Sequence, residues 1–252
     1  MMRQLDTCPN IVTCQDLSYV PNGYGWDIYF RMELLHPLKQ VIQNSYEETD
    51  VIQLGIDICS ALIACESVKI IHRDIKPDNI MVSSDGTFKL GDFGIAKTSE
   101  KTQTGTMAGT YNYMAPEVAN RKRYGLAADI YSLGMVLYWM MNNKTMPFLP
   151  LPPQIPSASQ KQQALNRRFS GEQLPEPQNG SRELKEIVAK ACAYAPEDRY
   201  HSALEMRNAL EALSSSKQAW TKAILEELAL PEDILHAVSY THLRAHETGA
   251  YL

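Results

Sequence analysis

The sequence predicts an α+β fold that is mainly helical and carries a small sheet. Apolar residues at positions 51, 54, 58, 62 and 65 recur at the spacing of one helix face. Residues 128–141 form a nearly continuous apolar stretch and predict a buried helix. Between these two helices, residues 80–82 and 88–90 are short strand-like segments separated by Asp85-Gly86, a pair that is typical of a hairpin turn.

Composition limits the class of protein. The chain has 252 residues, 44% of them apolar and 21% charged, and a net charge of −5. This is enough for one large or two small domains, and nothing in the charge indicates a nucleic-acid-binding surface. Its five cysteines form no Cys-x-x-Cys pair, which is typical of reduced intracellular thiols.

Targeting signals are not evident in the sequence. There is no signal-peptide pattern, and the apolar stretch from Ile130 to Met141 is shorter than the about 20 residues of a membrane span. We therefore expect a cytoplasmic location and no membrane span in this chain, with a membrane-anchored full-length protein as the alternative. No pattern indicates an oligomeric state.

The elements before the central hairpin follow from local patterns. Residues 28–33 alternate loosely and predict a strand, which is preceded by a polar turn at residues 21–23. Residues 51–67 predict a long helix that leads into a polar stretch beginning at Ile71.

Polar side chains gather at the open end of the predicted hairpin. With a two-residue turn at residues 85–86, Asn79 falls opposite Asp92. Asp74 lies five residues before Asn79. Carboxylate and amide oxygens in this number suit a Mg²⁺ ion that is held mainly by substrate phosphates.

The motifs in this stretch resemble those of eukaryotic-type protein kinases. His72-Arg73-Asp74 with Asn79 is similar to the catalytic loop of that family, and Asp92-Phe93-Gly94 is similar to its metal-binding triplet. Ala115-Pro116-Glu117 resembles the end of the activation segment, and Lys76 resembles the serine/threonine subclass. Together these motifs imply a protein-kinase-like fold.

The resemblance also implies a reaction and its cofactors. ATP would donate its γ-phosphate to a Ser or Thr hydroxyl of a protein substrate, with Mg²⁺, or alternatively Mn²⁺, as the metal. Asp74 would accept or orient the hydroxyl proton, Lys76 would neutralise the γ-phosphate, and Thr110 would hydrogen-bond near Asp74. Asn79 and Asp92 would hold the metal.

Nucleotide binding is implied by the same resemblance. Met32 would be the gatekeeper, and the hinge from Glu33 to Leu35 would bind adenine through its backbone groups. Met81 would form an apolar floor under the adenine ring.

Other matching residues have implied structural or regulatory roles. His72 would pack under Phe93, and Asp129 resembles the anchor at the start of the buried helix. Arg199 would pair with Glu117. Phe93 and Gly94 would complete the metal-binding triplet that begins at Asp92.

Regulation is implied by an arginine next to the catalytic aspartate. Arg73 could pair with a phosphothreonine at Thr102, Thr104 or Thr106 and so order the activation segment. The alternative is that these threonines are ordinary solvated loop residues.

The resemblance covers about residues 5–213, and it departs from the family at the start. Residues 8–12 resemble the segment after the αC helix, and no glycine-rich loop, phosphate-binding lysine or αC glutamate comes before them. We therefore expect an N-terminally truncated catalytic domain, with the remnant of the small lobe and hinge at residues 1–35 and the large lobe at residues 36–213. The exposed underside of the hinge strands would then be an apolar edge.

Two patterns resemble a bacterial group of eukaryotic-like (Hanks-type) kinases. They are Ala-Leu-x-x-Arg at residues 164–168 and Leu-Pro-x-Pro at residues 174–177. The alternatives to a truncated kinase domain are a natural minimal kinase, a pseudokinase that serves as a non-catalytic interaction module, and a truncated product with no function of its own. Because part of the ATP site is missing, we expect this chain by itself to be inactive.

The last third of the chain is predicted to be mainly helical and to end in a segment that is not part of the evolved protein. The proline-rich residues 147–156 predict a rigid connector, with an SH3-type ligand as the alternative. Residues 181–193 and 202–213 predict amphipathic helices, and residues 214–237 a helical extension or linker. Residues 238–252 resemble a translated sequencing adapter, so we interpret them as an assembly scar rather than a histidine-rich metal site.

Overall fold

A computed structural model describes residues 5, 7–42, 46–92, 111–122 and 125–227, with side chains up to residue 216. It divides the chain into two units, Met1–Leu210 and Glu211–Leu252. Within the described residues, no helix is both long enough and apolar enough to cross a bilayer. Several predicted features lie outside these residues, namely Phe93, Gly94, Thr102, Thr104, Thr106, Thr110 and the adapter-like residues 238–252.

The first unit contains two small antiparallel sheets. The first sheet is a ribbon of β1 (Cys14–Pro21) and β2 (Trp26–Met32). The second has the order β3 (His36–Pro37), β4 (Ile80–Val82) and β5 (Phe88–Leu90). Residues 33–35 connect the two sheets, at the position where the hinge is predicted.

Helices make up most of the remaining described residues. They are α1 (Leu38–Val41), α2 (Glu48–Ser67), α3 (Pro116–Ala119), α4 (Leu126–Met141), α5 (Ala158–Phe169), α6 (Arg182–Ala191) and α7 (Ala203–Glu227), with 3₁₀ turns at Pro77–Asn79 and Pro196–Asp198. The described part of the second unit, residues 211–227, is helical. The predicted mixture of helices and small sheets is confirmed.

Helix α4 is the centre of the core. Every residue from 128 to 141 is buried, because the helix is apolar on all sides and other elements cover it. Gly134 marks a close approach to α6: a Cβ at this position would lie 2.8 Å from Cys192 Sγ and 2.9 Å from Ala191 Cβ. The glycine therefore allows α4 and the end of α6 to pack closely.

The start of helix α2 is fixed by a reciprocal cap. The Glu47 side chain accepts from the backbone of Asp50, and the Asp50 side chain accepts from the Glu47 N–H. This arrangement satisfies two N–H groups that would otherwise lack partners at the helix start. The helix accordingly begins three residues before the predicted position 51.

The register predicted for the central hairpin is wrong by one residue. Met81 pairs with Lys89 and Val82 with Phe88, because the loop has three residues, 84–86, and Ser83 N–H donates to Thr87 O at 3.0 Å. Gly86 has φ +85°, as a three-residue hairpin loop with a left-handed glycine requires. Asn79 is therefore opposite Gly91 rather than Asp92.

The β1–β2 ribbon exposes most of its side chains. Strand β1 was not predicted from the sequence. Strand β2 begins two residues before the predicted start at residue 28 and ends one residue before the predicted end at residue 33. Its exposed large apolar side chains are Leu17, Tyr19, Val20, Trp26, Ile28, Tyr29, Phe30 and Met32. Such an apolar ribbon agrees with the exposed edge expected from the sequence.

Candidate active site

The predicted catalytic loop is attached to the core helix by one carboxylate. Asp129, in the first turn of α4, is 1% exposed. Its Oδ2 accepts from His72 N–H at 2.7 Å, and its Oδ1 accepts from Arg73 N–H at 2.8 Å. Burial raises the pKa of Asp129, although the two N–H donors act in the opposite direction. The loop is thus held by a fully engaged, buried side chain.

The same contacts hold a strained backbone conformation. Arg73 has φ +69°, a left-handed conformation that costs an L-residue about 1–2 kcal/mol. Hydrogen bonds to a charged group stabilise by about 1.5–3 kcal/mol each, so the bonds to Asp129 offset the strain.

His72 joins the catalytic loop to the end of β5. Its Nε2 lies 2.9 Å from Gly91 O, and its Nδ1 lies 3.4 Å from Asp74 N. A carbonyl oxygen only accepts and a backbone N–H only donates, so the ring carries its proton on Nε2. Both ring nitrogens therefore face backbone groups, which fits the structural role predicted for His72.

Asp74, Lys76 and Asn79 form one hydrogen-bonded cluster. Lys76 Nζ donates to Asp74 Oδ2 at 2.9 Å. Asn79 Nδ2 donates to Asp74 O at 2.7 Å and to Oδ2 at 3.2 Å. Asp74 is only 7% exposed, so its carboxylate is held in one orientation by an ammonium and an amide.

Asp92 follows a residue that is hydrogen-bonded to this cluster through the backbone. Gly91 N–H donates to Asn79 O at 2.8 Å, and the next residue, Asp92, is exposed with φ +52°. A Cβ on Gly91 would lie 3.1 Å from Val12 Cγ2, so this position has little space for a side chain. The structure thus places Asp92 one residue from the partner of Asn79.

Asn79 and Asp92 carry oxygen atoms of the kind that bind a divalent metal ion. Asn79 directs its amide nitrogen at Asp74, which leaves the amide oxygen facing away from Asp74 O. Asn79 and Asp92 supply only oxygen ligands, as Mg²⁺ prefers. In the described part of the chain, no three His, Cys, Asp or Glu side chains form a group that could hold a metal ion.

The predicted hinge is tied to the hairpin by an ion pair that the sequence did not reveal. Lys89 Nζ lies 3.0 Å from Glu33 Oε1 and 2.8 Å from Oε2, and Thr13 N–H donates to Oε1 at 2.8 Å. Burial opposes ionisation of Glu33, yet these donors lower its pKa. The sequence feature that could have indicated this ion pair is Lys89, the single lysine of β5, which lies opposite Met81.

The nucleotide-binding role of the hinge stays a prediction, and the structure gives the surroundings of the residues assigned to it. Glu33 N–H donates to Thr13 O at 3.4 Å, so this N–H is already used within the fold. Leu35 is buried and Met81 is half-buried.

Glu117 and Arg199 form the expected pair. Arg199 Nη1 and Nη2 donate to the two Glu117 carboxylate oxygens at 2.7 and 2.8 Å. Both side chains are buried, with 0% and 7% of their surfaces exposed. The pair joins α3, directly after the predicted activation segment, to the turn before α7.

Comparison with known proteins agrees with the resemblance to protein kinases. The family model described as protein kinase domain matches residues 1–216. The chain is 30% identical over 242 residues to the serine/threonine-protein kinase PknB of Mycobacterium leprae, covering 87% of this chain and 36% of that protein. It is 37% identical over 227 residues to the tyrosine-protein kinase MasK of Myxococcus xanthus, covering 82% and 33%.

A eukaryotic relative gives a similar result. The serine/threonine-protein kinase STE20 of Saccharomyces cerevisiae is 35% identical over 193 residues, which cover 76% of this chain and 20% of that protein. The chain therefore spans about a third or less of the length of the curated relatives named here. Because the family model matches most of its residues, this chain belongs to the protein kinase domain family.

Proposed function

We propose that the domain transfers the γ-phosphate of ATP to Ser or Thr hydroxyls of protein substrates. The observation that carries this proposal is the cluster of Asp74, Lys76 and Asn79, with Asp92 one residue beyond the partner of Asn79. Phosphoryl transfer needs positioning and charge neutralisation more than covalent chemistry. A buried, oriented carboxylate beside an ammonium meets both needs.

Asp74 is the proposed proton acceptor. Its carboxylate is oriented by Lys76 and Asn79, so it can align a substrate hydroxyl and take its proton late in the transfer. The Lys76 ammonium, 2.9 Å from Asp74 Oδ2, supplies positive charge where negative charge moves from the nucleotide to the acceptor. We also assign Thr110 a supporting hydrogen bond near Asp74, from the family resemblance.

Nucleotide and metal binding are assigned to residues on both sides of the cluster. A bound Mg²⁺, or Mn²⁺, neutralises charge on the phosphates. Asn79 and Asp92 are the proposed ligands. The backbone of Glu33 and Leu35 would hold adenine, and Met81 would lie beneath it.

The finer assignments are also proposals. We assign the chain to the bacterial eukaryotic-like kinases, supported by the alignment with the mycobacterial PknB over 87% of the chain. Two of the three relatives named above are serine/threonine kinases, which supports hydroxyls of Ser and Thr as acceptors. We propose a cytoplasmic location because the reaction requires ATP. The domain limits at residues 35, 213 and 237 stay predictions.

A phosphotransfer assay tests the function directly. The chain, and a version extended by the upstream reading frame, are incubated with radiolabelled ATP, Mg²⁺ and a general protein acceptor. Transfer is expected in the form that carries a glycine-rich loop and phosphate-binding lysine. Asp74→Asn and Asp92→Asn should each abolish it, whereas Asp85→Asn, in the exposed hairpin loop, should not.

The same assay separates the alternatives. Label on tyrosine instead of serine or threonine would overturn the proposed acceptor. A cellular function that survives Asp74→Asn and Asp92→Asn would indicate a non-catalytic interaction module. An upstream reading frame without a glycine-rich loop and lysine would contradict the truncated-kinase interpretation.

A further inference from the structure

Asp57 is a buried acidic residue that the proposed reaction does not use. It lies in the middle of helix α2 and is 8% exposed. The structure describes every residue of α2, and Asp57 is the only charged residue among those of the helix that are buried. Because burial of a charge is costly unless the charge is hydrogen-bonded, a carboxylate at this position indicates a specific partner.

The partner of Asp57 is the first residue of strand β5. Asp57 Oδ2 accepts from Phe88 N–H at 3.0 Å, and Asp57 Oδ1 accepts from Gln53 Nε2 at 2.9 Å. Burial raises the pKa of Asp57, and both of these donors act against that shift. The carboxylate thus joins helix α2 to a strand residue 31 positions later in the chain.

Other hydrogen bonds on this side of β5 come from the chain that precedes β1. Asn10 Nδ2 donates to Phe88 O at 3.1 Å, and Leu90 N–H donates to Asn10 O at 2.8 Å. Leu90 O accepts from Val12 N–H at 3.0 Å. Among the backbone N–H and C=O groups of Phe88 and Leu90, only the Phe88 N–H has no partner in that preceding chain. A buried N–H needs an acceptor, and Asp57 supplies it.

Strand β5 leads directly into the candidate metal site. The residue after the strand, Gly91, donates its N–H to Asn79 O at 2.8 Å, and its carbonyl oxygen lies 2.9 Å from His72 Nε2. Asp92 comes next in the chain. The strand is therefore held at its start by Asp57 and contacts the catalytic loop just after its end.

The short distance between these two contacts makes β5 a link between helix α2 and the metal site. Phe88 and Asp92 are four residues apart, which is about 13 Å of extended chain. A segment of this length has little slack, so a lengthwise shift at Phe88 would also move Asp92. Because Mg²⁺ requires near-ideal octahedral geometry, a displacement of about 1 Å would weaken its binding.

We propose that Asp57 is a positioning residue that fixes strand β5 along its length and thereby holds Asp92 in place to bind the metal ion. The proposal rests on the function proposed above, because Asp92 is assigned as a metal ligand there. In this role Asp57 touches no reacting group. It acts through its hydrogen bond with the Phe88 N–H.

Amide resonances of the full chain, measured by nuclear magnetic resonance, test the proposal with a matched pair of variants. Asp57→Leu removes the acceptor of the Phe88 N–H, and Glu66→Leu removes an exposed carboxylate from the same helix. In Asp57→Leu the Phe88 amide proton should shift upfield, because its hydrogen bond is lost. The Gly91 amide proton should shift upfield as well, because its bond to the catalytic loop lengthens. Amide protons of α4 should keep their positions, and Glu66→Leu should match wild type at all of these sites.

Metal binding in the extended form provides the second readout. The dissociation constant for Mn²⁺ in the presence of ADP, followed by electron paramagnetic resonance, should rise about tenfold in Asp57→Leu, which corresponds to the energy of one hydrogen bond. Asp57→Asn keeps an oxygen acceptor without the charge and should fall between wild type and Asp57→Leu. KM for the protein substrate should change by less than about twofold. Glu66→Leu should match wild type in both measurements.

Any of three results would overturn the proposal. The Phe88 amide proton could keep its position in Asp57→Leu, which would contradict the hydrogen bond. The Gly91 amide proton could stay in place while that of Phe88 shifts, which would limit Asp57 to a local contact. The dissociation constant for Mn²⁺ could be the same in Asp57→Leu and Glu66→Leu.

Two further outcomes are also decisive. If circular dichroism shows that Asp57→Leu does not fold, Asp57→Asn takes its place: weaker Mn²⁺ binding in that variant would support the proposal, and unchanged binding would overturn it. An extended wild type that binds Mn²⁺ and ADP but transfers no phosphate would refute the proposed function, whereas the Mn²⁺ comparison would still decide the role of Asp57.

Discussion

Replacing Arg199 with methionine should destabilise the domain by about 3–5 kcal/mol, the range for breaking a buried ion pair. Arg199 uses all five of its N–H groups: two donate to Glu117, and three to the carbonyls of Ala193, Ala127 and Tyr194. Methionine fills similar space, yet it leaves the buried Glu117 carboxylate without a counter-charge. The loss is a large fraction of the about 5–15 kcal/mol that stabilises a typical domain.

Urea unfolding followed by circular dichroism measures this loss. The matched control is Arg182→Met, since Arg182 is 86% exposed and pairs with Glu186 one turn along the same helix. Such pairs contribute about 0.5 kcal/mol or less. A double variant, Arg199→Met with Glu117→Leu, should recover part of the loss because it removes the uncompensated charge. Equal unfolding midpoints for Arg199→Met and Arg182→Met would refute the reasoning.

Three further predictions concern packing, titration and thiol access. Gly134→Ala should lower the free energy of unfolding in urea by roughly 1 kcal/mol net, because overpacking against Cys192 outweighs the better helix propensity of alanine; an unchanged midpoint would contradict the close approach. Burial raises the pKa of Asp129 above 3.8, so the folded state binds the carboxyl proton more tightly than the unfolded state. The free energy of unfolding of the wild type should therefore fall relative to that of Asp129→Asn as pH rises from 3.8 through the raised pKa of the folded state. A thiol reagent should label Cys8 and Cys14 in the native protein and all five cysteines after unfolding; native labelling of Cys192, whose pKa burial raises to about 12, would be inconsistent with its buried position.

The helices that could be predicted are those with an apolar pattern. Residues 51–67 and 128–141 were predictable because their apolar side chains face the core. Helix α5 was not predicted as a helix, since only Ala164 and Arg168 of its twelve residues are buried. Its polar surface leaves no periodic signal, and its start depends on a capping box at Ser157.

The hairpin shows a different limit. Asp85-Gly86 suits both a two-residue turn and the last two positions of a three-residue loop, so the dipeptide alone leaves the register open. The backbone hydrogen bond from Ser83 N–H to Thr87 O selects the longer, three-residue loop. A shift of one residue places Gly91, not Asp92, opposite Asn79.

Within the candidate site, local residues were predictable and distant partners were not. Asp74, Lys76 and Asn79 lie within six residues of one another, so a motif contains them all. Lys89 and Glu33 are separated by 56 residues, and Arg168 donates to the carbonyl of Asn112, which is equally far away in the chain. Such contacts depend on how helices and sheets pack, which short motifs do not encode.

The attachment of the catalytic loop to Asp129 has a consequence for protein engineering. Two consecutive loop N–H groups are held by a side chain that belongs to the most deeply buried helix. A designer who transplants residues 72–79 onto another scaffold would therefore transfer the residue types without their geometry. The smallest portable unit is the loop together with the first turn of α4 and the end of β5, where Gly91 bonds to both His72 and Asn79, so new proteins built from this site should be designed outward from these two elements.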